Sequence, residues 1–173
     1  YLVDCCNSTL TSTCSRCSGC NGGWSEDALQ FVALRGIPLA SAYPYVSGKT
    51  NISGNCKTSV VKKKVTNTGY TNLTSGDASA FKTALQRKTV GVGVYVESNW
   101  YFYKSGVLNC AKYHGYWYLN HMVLLVGYTS TTSWKIKNSW GTGWGTGGYM
   151  QITQNQTGYD CGILLEGITV AVI

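Results

Sequence analysis

His121, in "LNHMVLLVGY", and Asn138, in "WKIKNSWGTGWG", stand seventeen positions apart and are of types that together do proton-transfer chemistry. An imidazole whose one N–H is held by an amide oxygen keeps its tautomer and orientation, and its other nitrogen is left to act as a base. The residues between them explain how the two would meet. The apolar run after His121 reads as a strand, "TSTTS" as a polar turn, and the alternation of "WKIKN" as a returning strand. In an antiparallel hairpin the last residue of the return lies beside the first residue of the lead, within a residue or two of register. Trp140, two positions further on, is placed to shield the pair from water. The plainer alternative is a strand-end histidine satisfying a structural hydrogen bond.

Composition sets the surroundings. Seven acidic residues against fourteen basic ones leave a formal net charge of +7, which comes from scarce acids rather than abundant bases. The one dense basic run, "VVKKKV", holds Lys62, Lys63 and Lys64 with no interleaved aromatic side chain for bases to stack on. It therefore reads as a solvated face and argues against nucleic-acid binding. No apolar stretch is long enough to span a bilayer. Eight cysteines, at positions 5, 6, 14, 17, 20, 56, 110 and 161, point to an oxidising compartment and a disulfide framework. Four glycosylation sequons, at Asn7, Asn51, Asn72 and Asn155, point the same way, to a lysosomal, vacuolar or extracellular glycoprotein. The C-x-x-C spacing of Cys14, Cys17 and Cys20 also suits zinc, but an oxidising compartment favours disulfides, so no metal or organic cofactor is expected.

The elements change character along the chain. "SEDALQFVALRG" predicts a helix capped by Ser25 and stopped by Gly36 and Pro38, with Glu26, Asp27 and Gln30 on a polar face. "SGDASAFKTALQRK" predicts a second helix, opened by Asp77 and carrying Arg87 and Lys88 in its last turn. From Val90 to Val96 the period becomes two, and "HMVLLVGY" reads as a strand buried on both faces. "GGYMQIT" adds a further strand. The chain is thus expected to be an α+β protein, helical first and β-rich later, dividing near residues 65 to 75.

"LVDC", "CSGCNGGW", "AYPY", "LNHMVLLVGY", "KNSWGTGWGTGGYMQI" and "DCG" occur in the order found in papain-like cysteine peptidases, the cathepsin family, and the chain resembles that family over essentially its whole length. The resemblance implies a two-lobe fold: residues 1–70 the remainder of a helical left lobe, residues 71–173 an antiparallel β-barrel-like right lobe, and a substrate cleft between. It makes His121 the catalytic base, Asn138 its orienting residue and Trp140 the indole that covers them. It pairs Cys5 with Cys56 and Cys110 with Cys161, and Cys20 with a cysteine in a segment this sequence does not contain. Cys6, Cys14 and Cys17 are additional to the family pattern and their pairing stays open.

The resemblance also supplies the nucleophile that His121 would serve. In the family it lies in a Cys-Gly-Ser-Cys-Trp segment, with an oxyanion-hole glutamine shortly before it, and neither occurs here. The expectation is a missing left-lobe segment, either a separate chain joined through Cys20 or residues beyond these 173, that carries the thiol. Gly22 and Gly23 match backbone that pairs with an extended substrate. Gly93, Asn120 and Met122 match the pocket for the second residue before the scissile bond, and Glu166 its floor, where a carboxylate could accept arginine as well as apolar side chains. Asn120 departs from the aspartate often found beside the family's histidine. The resulting expectation is the major, C-terminal portion of a cysteine endopeptidase acting on extended peptides. The alternatives are a catalytically inactive papain-like glycoprotein and a disulfide-rich scaffold in which His121 and Asn138 merely satisfy each other.

Overall fold

The computed structural model describes residues 1–60, 64–110, 119–129, 132–154 and 161–171. It divides into two compact units: Tyr1–Thr71 together with the tail from Val170, and Asn72–Thr169.

Among its described residues the first unit has the α-helices α1 (Leu2–Cys5), α2 (Ser25–Arg35) and α3 (Ser47–Thr50), and short strands. Strand β1 (Ile37–Pro38) pairs antiparallel with β2 (Lys64–Val65). Strand β3 (Gly69–Asn72) starts beside the chain's tail, where Thr68 N–H donates to the Ala171 carbonyl at 3.0 Å. Helix α2 stops as expected, because Gly36 takes φ 71° and its N–H caps Val32. Its start is different. Trp24, in extended backbone, is the N-cap and offers no side-chain bond, so Ser25 is the first helical residue and not the cap. Asp27 is not on a solvated face either. It is buried, and the Arg16 backbone N–H (2.9 Å) and Nε (3.0 Å) both donate to its carboxylate. The apolar core of this unit is small and rich in sulfur: Cys5, Cys6, Cys14, Cys17 and Phe31, flanked by Tyr1, Leu2, Ala28 and Cys56.

The second unit is built on a sheet with strand order β9-β4-β6-β7-β8-β5. Helix α4 (Ala78–Leu85) precedes it, and the strands are β4 (Val90–Val94), β5 (Val107–Leu108), β6 (His121–Tyr128), β7 (Ser133–Lys137), β8 (Tyr149–Thr153) and β9 (Gly167–Ala171), the last running on into the first unit's tail. Asp77 caps α4 through bonds from the N–H groups of Ser79 and Ala80. The helix ends at Leu85, earlier than its basic tail suggested. Arg87 and Lys88 lie beyond it in a tight turn, both N–H groups donating to the Ala84 carbonyl, which leaves Lys82 as the last-turn cation. Val90, Val92 and Val94 are fully buried, with Phe81, Trp100, Leu125, Trp134, Ile136 and Ile152 around them. Two strand expectations fail. β4 stops at Val94 instead of reaching Val96, whose backbone groups are engaged by the Asn120 amide. β6 is buried on one face only: Val123 and Leu125 enter the core while Leu124 is 36% exposed.

Cys5 is bonded to Cys56, Cys110 to Cys161, and Cys6 to Cys14, while Cys17 and Cys20 are free thiols. Among the described residues the close group of possible metal ligands is Cys6, Cys14 and Cys17, not the trio with Cys20 that spacing suggested. Of the sequon asparagines, Asn51 and Asn72 are exposed, and Asn7 is half-buried with its Oδ1 accepting from Thr9 N–H and Oγ1–H. Asn155, Lys62 and Lys63 lie outside the described residues.

Candidate active site

The hairpin of β6 and β7 builds the site. Its ladder pairs Tyr128 with Trp134 and Gly127 with Lys135, then shifts at a bulge so that Leu125 meets Ile136 and Leu124 meets Lys137. Continuing that register, Asn138 falls across from Val123, and His121 lies two residues along on the same face, within diagonal reach. The contact is made: His121 Nε2 and Asn138 Oδ1 are 2.9 Å apart. The neighbouring bond fixes the proton. Ser139 N–H, which can only donate, meets the same Asn138 oxygen at 2.8 Å. That atom is therefore an acceptor for both, His121 carries its proton on Nε2, and Nδ1 is the nitrogen left for a reacting group. Asn138 is held in turn by its N–H bond to the Gly148 carbonyl at 3.0 Å.

Trp140 covers this pair, its ring centroid 5.4 Å from that of His121. It is packed edge-on against Trp144 at 5.1 Å, and Tyr101 stacks on it with planes 6° apart. Trp144 is anchored by its indole N–H, which donates to the Trp100 carbonyl at 2.8 Å, with Trp100 wholly buried. A wall of indoles is thus fixed to the core, and it screens the His121–Asn138 bond from competing water. Asn138 Nδ2 is buried with no hydrogen-bond partner among the described residues.

A second group of residues comes together beside β4. Gly93 pairs with Met122 in the β4–β6 ladder, and its N–H donates to the Glu166 carbonyl at 3.3 Å. A methyl at Gly93 would stand 3.0 Å from Glu166 Oε2 and 2.6 Å from Leu119 Cδ1, so the absence of a side chain leaves the space that the Glu166 carboxylate borders. Asn120 does something the sequence did not announce. Its Oδ1 accepts Val96 N–H at 2.8 Å and its Nδ2 donates to the Val96 carbonyl at 3.3 Å, a two-point clasp that directs the chain leaving β4. Gly22 and Gly23 belong to the first unit, both exposed. Gly22 has φ 97°, and its carbonyl accepts from Ser18 N–H at 2.9 Å. Sequence reasoning did not single out Tyr101 or Trp144. The aromatic density of "NWYFY" and "GWG" was the available signal.

Comparison with known proteins decides the family. The model for the papain family cysteine protease matches residues 1–171. The chain belongs to the papain family. Its similarity to cathepsin L 2 of Paramecium tetraurelia is 42% identity over 146 residues, covering 84% of this chain and 42% of that protein. The gamete and mating-type specific protein A of Dictyostelium discoideum is 46% identical over 138 residues, covering 79% of this chain and 29% of its own length. The chain therefore spans less than half the length of these papain-family relatives. Among solved structures, the Carica candamarcensis cysteine protease CMS1MS2 in complex with E-64 superimposes with a TM-score of 0.81 at 31% identity, covering 99% of this chain and 75% of that one. The fold is the papain-like α+β fold.

Proposed function

We propose that the chain is the C-terminal major portion of a papain-like cysteine endopeptidase, with the attacking thiolate supplied from outside these residues. The observation that carries this is the His121–Asn138 pair under Trp140, with Nδ1 left for a thiol. A nucleophile from elsewhere is supported by the two cysteines of the His121 unit being bonded to each other. In the first unit Cys17 is buried and Cys20 sits beside Ser53.

His121 takes the thiol proton on Nδ1, and the thiolate attacks the substrate carbonyl carbon. His121 then passes that proton to the nitrogen as the C–N bond breaks, leaving an acyl-enzyme and a free amine. Water, deprotonated by the same nitrogen, hydrolyses the thioester and regenerates the thiol. Asn138 holds the ring through both steps. Gly22 and Gly23 pair with the extended peptide. Gly93, Asn120, Met122 and Glu166 form the pocket for the second residue before the cleaved bond, admitting apolar side chains or arginine. The exposed thiol of Cys20 forms the link to the segment carrying the nucleophile. Asn7, Asn51, Asn72 and Asn155 are glycosylation sites, and the disulfides suit a lysosomal, vacuolar or extracellular location.

The test is labelling of the native material with a biotinylated epoxysuccinyl inhibitor, followed by gels with and without reductant. Label on a fragment that separates from this chain on reduction supports a two-chain enzyme, and label on one longer species supports a single-chain enzyme. Folded protein that takes no label would turn the reading to the inactive papain-like glycoprotein.

A further inference from the structure

Three buried sulfurs in the first unit have no part in the proposed hydrolysis. Cys6 and Cys14 are bonded, and the Cys17 thiol lies 3.5 Å from Cys6 Sγ, all three sulfurs falling within 4.8 Å of one another. They are not peripheral: with Cys5 and Phe31 they are the buried core of this unit. Cys17 also supports the glycine strip. A methyl at Gly23 would stand 2.7 Å from Cys17 Sγ, so the thiol occupies the volume that a side chain there would need. The same sulfur lies 4.0 Å from the Trp24 carbonyl.

We propose that Cys6, Cys14 and Cys17 form an internal thiol–disulfide exchange site, in which the Cys6–Cys14 bond converts to Cys6–Cys17 and frees Cys14. The reaction needs no oxidant or reductant. The Cys17 thiol gives its proton to solvent, its sulfur attacks Cys6 Sγ, the Cys6–Cys14 bond breaks, and the electron pair leaves on Cys14, which takes up a proton. The three sulfurs form a triangle rather than a line, so attack requires the Cys17 side chain to rotate toward the Cys14–Cys6 axis. That rotation withdraws Cys17 from beneath Gly23. On the reading of Gly22 and Gly23 as peptide-pairing backbone, the pairing state would therefore alter how this strip meets a substrate.

Burial pushes the Cys17 thiol up from its ordinary value. Asp27 adds to the rise, while a backbone hydrogen bond at Trp24 and the Arg16 charge oppose it. Exchange should therefore be slow in acid and quicken about tenfold per pH unit below the thiol's pKa.

Arg16 makes the test direct, because trypsin cleaves between Cys14 and Cys17. The full protein carrying this chain is held for hours at about pH 5 and about pH 8.5, quenched with acid and N-ethylmaleimide in denaturant, digested and mapped by mass spectrometry. The expected result is a disulfide between the peptide of residues 1–16 and that of residues 17–35 through Cys6 and Cys17, with maleimide on Cys14, rising with pH and absent in Cys17→Ser. In Cys14→Ser, refolded in a glutathione redox buffer whose oxidised form supplies the two-electron oxidant, Cys6 and Cys17 should be found bonded and unlabelled. Maleimide on Cys17 alone at every pH would overturn the proposal. So would Cys6 and Cys17 both labelled in Cys14→Ser, or Cys17 bonded permanently to a cysteine outside this chain. Inhibitor labelling at the peptidase site is read separately, so loss of that reading leaves this one standing, and the reverse.

Discussion

Replacing Asn138 with Ala separates a catalytic role from a structural one. The side chain makes two bonds through one oxygen, to His121 Nε2 at 2.9 Å and to Ser139 N–H at 2.8 Å. Stability should change little. The lost acceptor bonds are offset in part by removal of Nδ2, a buried donor that has no hydrogen-bond partner among the described residues, and the net should stay within about 1 kcal/mol. The rate is a different matter. In the proposed mechanism His121 becomes cationic when it takes the thiol proton, and its bond to Asn138 becomes charge-assisted, worth about 1.5–3 kcal/mol. At about 1.4 kcal/mol per decade, kcat should fall roughly 10- to 150-fold with KM nearly unchanged. Asn138→Asp, which keeps an acceptor oxygen, should lose less. The assay is hydrolysis of a fluorogenic peptide by the full-length enzyme, with urea unfolding of the same preparations. A kcat within twofold of the parent, or a rate loss matched by equal unfolding, would refute the orienting role.

Two further outcomes follow from the same geometry. Burial by itself would raise the Asp27 carboxyl, but the bonds from the Arg16 guanidinium and backbone N–H outweigh it and hold the group below the ordinary carboxylate range. A carboxyl lowered by folding contributes stability above its unfolded pKa, near 3.9, and loses it as pH falls through the folded value. Asp27→Ala should therefore cost about 2 kcal/mol near neutrality, between the values for exposed and buried pairs because the Arg16 side chain is 45% exposed. The difference should shrink as the pH falls from about 3.9 through the lowered folded value, and an equal loss at neutral and strongly acid pH in urea unfolding would contradict it. Gly93→Ala places a methyl 2.6 Å from Leu119 Cδ1 and 3.0 Å from Glu166 Oε2. It should cost about 1–3 kcal/mol through overpacking. On the proposed pocket reading it should also raise KM selectively for peptides with a bulky or arginine side chain two residues before the cleaved bond, and an unchanged substrate profile would remove Gly93 from the proposed pocket.

What could be read from the residues had local causes. The end of α2 needed only a glycine able to take a positive φ, and the start of α4 only an aspartate before three small residues. The His121–Asn138 contact was legible because one hairpin joins them, and the bulge after Leu125 fell within the tolerance of that argument. Expectations failed where a residue's partner lies far off in the chain. Nothing near Asp27 announces that Arg16 will fold over it, and nothing near Asn120 announces that its amide will clasp the Val96 backbone. Leu124 faces outward because this sheet packs its core against one side of β6, which an unbroken apolar run cannot reveal. Likewise, eight cysteines imply bridges, but only three-dimensional proximity bonds Cys6 to Cys14 and sets the Cys17 thiol against them. By itself the sequence determined the periodicities, the helix stop and cap, and the chemistry of the histidine and asparagine, since these depend on neighbours within a turn or a hairpin. The tertiary structure alone decided which polar groups are buried, which sulfurs meet and which nitrogen of His121 is left to react, because each depends on atoms that the chain brings together only by folding.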